Sequence, residues 1–113
     1  MLSDYAALID DQHVWAAELD GKIIGVLVQF ATPEGWYIDT VAISPARQGT
    51  GLGRQLLVFA EAQAHSAGLG QVYLCTNTKM TENQVFYPKL GYTEYERKQV
   101  EGYDRTYYRK RIT

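Results

Sequence analysis

One cysteine, Cys75, in a chain of 113 residues permits neither an intramolecular disulfide nor a cysteine metal framework. A reducing, cytoplasmic setting is the default expectation. The two histidines, His13 and His65, join no ligand set with other residues, so no metal is expected. No apolar run approaches the ~18 residues of a membrane span, and Met1-Leu2-Ser3-Asp4 lacks the basic stretch and apolar core of a signal peptide. A dense basic stripe is also missing and the pI is acidic, which disfavours nucleic acid, and no nucleic-acid or membrane partner is expected.

The length suits one domain over 1–113, and the composition is that of a globular chain. The charge is unevenly spread. Residues 1–40 hold seven acids and one base, and the remainder holds ten bases and six acids. Such asymmetry suits an anionic ligand on one side and a cationic one on the other, or is solvated surface charge.

Leu2 to Ile9 reads as a short helix capped by Ser3 or Asp4. Val14–Leu19 and Lys22–Ala31 read as strands joined by Asp20-Gly21, a strong hairpin signal. Thr32-Pro33-Glu34-Gly35 is a turn, and Trp36–Ile43 is a further strand. Leu52, Leu56, Phe59 and Ala60 fall on one face of a helix that Gly68 stops. Val72–Thr76 is a short strand. Thr81-Glu82-Asn83-Gln84 has the pattern of a capping box opening a helix to Leu90, its last turn loosened by Pro88. A final hairpin turns at Glu101-Gly102. The fold class is α/β (α+β), a mixed, mostly antiparallel central sheet with helices packed on it.

Chemistry concentrates in Arg47-Gln48-Gly49-Thr50-Gly51-Leu52-Gly53-Arg54, between a strand and an amphipathic helix. A helix start presents unpaired N–H groups and the positive end of its dipole, and glycines let a phosphate approach. Arg47 and Arg54 flank the turn and suit phosphate oxygens. Walker A is excluded because Arg54 follows Gly53, and G-x-G-x-x-G fails at Arg54 and at Leu56.

What remains, Q-x-x-G-x-G from Gln48 to Gly53 behind Val41-Ala42-Ile43-Ser44-Pro45, resembles motif A of the GCN5-related N-acetyltransferases (GNAT). Asn83-Gln84-Val85-Phe86-Tyr87-Pro88-Lys89-Leu90-Gly91-Tyr92 resembles their motif B. The resemblance covers Trp36 to Tyr92, about half the chain. It implies a GNAT-like fold and transfer of acetyl from acetyl-CoA, as co-substrate, to an amine acceptor, a small molecule or peptide. The glycine turn would grip the CoA pyrophosphate, while backbone at Val41, Ala42 and Ile43 would pair with the pantetheine arm and polarise the thioester carbonyl. Asn83 would bond the pantetheine amides. Tyr87 would protonate the departing thiolate; its alternative is aromatic packing. Relatives usually carry a further strand and one or two helices before the hairpin near Val14, so the N-terminal region reads as shortened. A neighbouring subunit in a homodimer would then complete the pocket, or the chain would be a CoA-binding sensor or degenerate subunit.

Strand alternation places Tyr37, Asp39, Val41 and Ile43 on one face. Asp39 is thereby the favoured general base, acting directly or through water, or an anchor for an ammonium; the alternative is an Asp bonded to local backbone. Glu34 is a weaker candidate. Cys75 reads as a buried thiol, and Tyr103, Tyr107, Tyr108, Arg105, Arg109, Lys110 and Arg111 as a closing strand with charged edges.

Overall fold

The computed structural model describes residues 7–11 and 14–112. Its elements are β1 (Ala7–Asp11), β2 (Val14–Leu19), β3 (Lys22–Thr32), β4 (Gly35–Ile43), a 3-10 turn (Pro45–Arg47), α1 (Leu52–Ser66), β5 (Gln71–Asn77), α2 (Asn83–Lys89), β6 (Thr93–Val100) and β7 (Tyr103–Arg111). The strands form one sheet in the order β1-β2-β3-β4-β5-β7-β6. Among the described strands only β4 and β5 run parallel, and α1 is the crossover such a pair needs. The mixed, mostly antiparallel sheet is the one expected. None of the described helices is long and apolar enough to cross a membrane.

Both predicted hairpins form. Asp20 and Gly21 have φ of 52° and 77°, and Glu101 and Gly102 have 52° and 83°, the double positive φ of tight hairpin turns. Two local expectations fail. Residues 7–11 are a strand antiparallel to β2, where a helix was expected over Leu2 to Ile9; the proposed caps Ser3 and Asp4 lie outside the described residues, as does His13. So short a stretch is a poor isolated helix, whereas the edge of β2 offers a full backbone ladder. The capping box does not form either. Glu82 precedes α2 in helical conformation with no side-chain cap, and Gln84 Nε2 donates to the Thr78 carbonyl at 2.8 Å. Successive turn bonds, Asn83 N–H to Met80 O (3.0 Å) and Gln84 N–H to Thr81 O (3.1 Å), already satisfy the donors a cap would serve.

Helix α1 buries Leu52, Leu56, Leu57, Ala60 and Ala64 against β3, β4 and β5. The approach is close at Gly25 of β3, where a Cβ would stand 3.1 Å from Leu52 Cδ2 and 3.3 Å from Leu56 Cδ1. Trp36, Ile38, Val72, Leu74 and Tyr108 complete this face of the sheet. The opposite face carries a separate aromatic row. Tyr37 lies 5.5 Å from Phe30 and 4.9 Å from Tyr73, and Tyr95 lies 6.1 Å from Tyr107.

Glu61 ties α1 to the far strands: it accepts Tyr92 Oη at 3.0 Å and Lys110 Nζ at 3.0 Å. Burial, then the neighbouring carboxylate, pushes the Tyr92 phenol far above its ordinary range. Glu61→Ala strands one buried and one half-buried donor, at a cost of about 1–3 kcal/mol. A thermal melt should show a fall of several degrees, with Glu61→Gln closer to wild type because it still accepts from Tyr92. An unchanged melting temperature in Glu61→Ala would mean that the cluster contributes nothing.

Candidate functional site

The glycine turn leaves the sheet at Ile43. Ser44 N–H donates to the Ile24 carbonyl (2.9 Å), and Gln48 Nε2 reaches back to the Ile43 carbonyl (3.3 Å), fastening the turn to its strand. Gly51, at φ 89°, is the N-cap of α1, a left-handed conformation in which a side chain is strained. The first helical bond runs from Gln55 N–H to Gly51 O at 3.1 Å. The N–H groups of Gly51, Leu52, Gly53 and Arg54 therefore have no helical acceptor. They open beside Arg47 and Arg54, so the position suits an anion.

Turn, strand and second helix face one another across a groove of about 780 Å³. Its lining includes Val41, Ile43, Arg47, Gln48, Gly49, Gly51, Gly53, Arg54, Asn83 and Tyr87, all singled out from the sequence. Three others are placed differently. Leu52 is 1% exposed and sits in the core, Ala42 is exposed and Thr50 bonds back to the Arg47 carbonyl, and none of the three lines it. Val85, Phe86 and Lys89 of α2 line it as well. Phe86 also packs against the core, and none of the three was singled out from the sequence, although all sit inside the motif B stretch.

At its inner end the groove meets a slot in the sheet. β4 and β5 pair only at Trp36–Val72, Tyr37–Tyr73 and Ile38–Leu74, then part. The cause lies on β4. Opposite β3 the register jumps from Val28↔Thr40 to Gln29↔Ile38, so Asp39 is an extra, bulged residue that bends the strand. The cavity between the parted strands measures about 290 Å³ and shares Val41, Asn83 and Tyr87 with the groove. It also takes in Asp39, Cys75, Thr76 and Arg105.

The bulge corrects the strict alternation expected along β4. Trp36 and Ile38 face the core before it, Val41 and Ile43 after it, while Tyr37 turns to the opposite face. Asp39 still lines the slot, exposed, its Oδ2 accepting from Thr40 Oγ1 at 3.3 Å. Glu34 lies outside both cavities; its carboxylate accepts from Tyr73 Oη at 3.2 Å. Cys75 is half-buried, where a buried thiol was expected, with Tyr37 Oη at 3.5 Å from its sulfur.

Tyr87 is packed as its alternative reading expected, and its hydroxyl is left unbonded. Its ring packs among Phe86, Tyr92 and Tyr108 at 5.1–5.9 Å between centroids, and it is 8% exposed. Among the described residues nothing hydrogen-bonds its hydroxyl, which is left for whatever enters the slot. Burial, helped by Tyr108, pushes the phenol up to about 12. It stays a neutral proton donor throughout the neutral range.

Comparison with known proteins places this architecture. The acetyltransferase (GNAT) domain model matches residues 10–94, and the chain belongs to that family. It is 30% identical over 96 residues to the aminoalkylphosphonate N-acetyltransferase of Salmonella typhimurium, covering 79% of this chain and 62% of that protein. It is 42% identical over 53 residues to the mycothiol acetyltransferase of Catenulispora acidiphila, covering 47% of this chain and 17% of that one. The chain thus spans less than two thirds of either relative. In fold it resembles a GNAT family acetyltransferase from Elizabethkingia anophelis with acetyl-CoA bound, with a TM-score of 0.75 at 19% identity over 87% of this chain and 74% of that one.

If the turn holds a pyrophosphate, acetyl-CoA at a hundred times its dissociation constant adds about 2.7 kcal/mol, a rise on the order of 10 °C in melting temperature. Gly51→Glu, which sets a carboxylate in a strained position beside the free amides, should melt without that rise. An equal rise in both proteins would move the ligand away from the turn.

Proposed function

We propose that the chain is an N-acetyltransferase that passes the acetyl group of acetyl-CoA to a primary amine of a small molecule or peptide by direct attack in a ternary complex. The observation that carries this reading is the continuity of groove and slot. An anion-suited helix start, a strand with one free backbone edge and an unpartnered phenol follow one another along a single channel. The aminoalkylphosphonate named for one relative and the acetyl-CoA bound in a structural neighbour are in keeping with it.

In this reading the pyrophosphate lies on the amides of Gly51 to Arg54 between Arg47 and Arg54. The pantetheine arm runs between β4, at Val41 to Ile43, and Asn83, adding its amides to the free strand edge. The thioester carbonyl reaches the slot, where a β4 N–H stabilises the negative charge that develops on its oxygen. An ammonium acceptor enters on the Asp39 side and gives up a proton to that carboxylate or to water. Its nitrogen attacks the carbonyl carbon and releases its second proton to water, the C–S bond breaks, and the thiolate takes the proton of Tyr87. The products are the acetylated amine and free CoA thiol, and the phenol is reprotonated from solvent.

The CoA-binding sensor has one observation in its favour: no described element covers the slot on the sheet face opposite α1. Thiol release with a panel of amines separates the two, because a sensor binds acetyl-CoA and releases none.

The pKa of Tyr87 sets the pH dependence. A phenol raised to about 12 keeps its proton, so turnover should rise with pH as the acceptor amine deprotonates and show no descending limb from Tyr87 below about pH 10. Tyr87→Phe should lower kcat about 10²-fold or more with little change in KM for acetyl-CoA. Asp39→Asn should lower kcat/KM for the amine and shift the rising limb upward. Turnover equal to wild type in both variants would remove these role assignments.

A further inference from the structure

The slot has a feature that the transfer chemistry does not use. Arg105, on β7 opposite Asn77 of β5, sends its side chain to the face away from α1. Its guanidinium lines the same cavity as Asp39. Arg105 Nη1 lies 3.9 Å from Cys75 Sγ, and among the described residues no carboxylate stands within ion-pair distance of it. Its Nε is buried and has no acceptor. Thr76 Oγ1, in the wall of the same cavity, is likewise buried without a partner. Two orphaned polar atoms in the wall of one small cavity leave hydrogen-bonding capacity that the described residues do not use. A planar guanidinium with free donors is suited to a carboxylate, phosphonate or sulfonate, which accepts two parallel bonds.

Resting on the transferase reading above, we propose that Arg105 sets acceptor choice: the amine acetylated here is a small zwitterion whose anionic group docks on the Arg105 guanidinium while its nitrogen lies beside Asp39. A cavity of about 290 Å³ has the volume of roughly ten water-sized groups, which suits an amine and an acid separated by a short chain. The opposite charges of Asp39 and Arg105 across the cavity match such a molecule and disfavour a lysine side chain, whose second charge is missing.

The test compares matched acceptors at saturating acetyl-CoA, read by thiol release: 2-aminoethylphosphonate and β-alanine against propylamine and a short uncharged peptide amide. Wild type should favour the anionic amines by about tenfold to a hundredfold in kcat/KM. Arg105→Gln should lose that preference through KM, with kcat and the propylamine rate nearly unchanged, and Arg105→Lys should recover part of it. Arg109→Gln, neutralising another cation of this strand, should keep the preference. Propylphosphonate, which has no amine, should inhibit wild type competitively against the acceptor. Equal or faster acetylation of propylamine or the peptide by wild type would overturn the proposal and leave the transferase reading intact. Binding of acetyl-CoA with no amine acetylated would overturn both.

Discussion

β4 and β5 share backbone bonds along three residue pairs and then separate, although both strands continue. In a sheet this is an expensive arrangement, since backbone N–H and C=O groups that face no strand must find other partners. Its origin is the single extra residue at Asp39, which bends β4 away just where Ile38 and Leu74 still hold the strands together. The free strand edge, the slot and the position of Asp39 all follow from that bend.

Two helices hold the opening in place from one side. α1 is locked onto the sheet at Gly25 and by the Glu61 bonds to Tyr92 and Lys110, so the free amides at its start are fixed relative to β4. α2 brings Asn83 and Tyr87 over the parted strands, its register set by Gln84 on the Thr78 carbonyl. Tyr87 is packed on three aromatic rings yet keeps an unengaged hydroxyl. The ring is fixed while the oxygen stays available, which is what the proposed proton donor needs.

Much of this was readable one segment at a time. Asp20-Gly21 and Glu101-Gly102 announce their hairpins because turn chemistry is local, and the leucine spacing from Leu52 announces α1. The glycine turn stands out because its residue types match what a helix start can offer an anion. The parts that escaped are those decided by a partner strand. Alternation along β4 is a property of one strand, but the bulge at Asp39 exists only in its register with β3. Ala7–Asp11 pairs because β2 offers an edge, a fact absent from its own five residues. Arg105 reads as an edge charge until the sheet sets it beside Cys75, thirty residues away in sequence.

The central claim is that the unpaired edge of β4 and the start of α1 form one binding track for acetyl-CoA. Amide hydrogen exchange with and without saturating acetyl-CoA tests it residue by residue. The account predicts that the slot-facing amides from Asp39 to Ile43 and those from Gly51 to Arg54 exchange rapidly in the free chain and slow together in the complex. Tight binding that protects other amides and leaves both of these segments unchanged would contradict it.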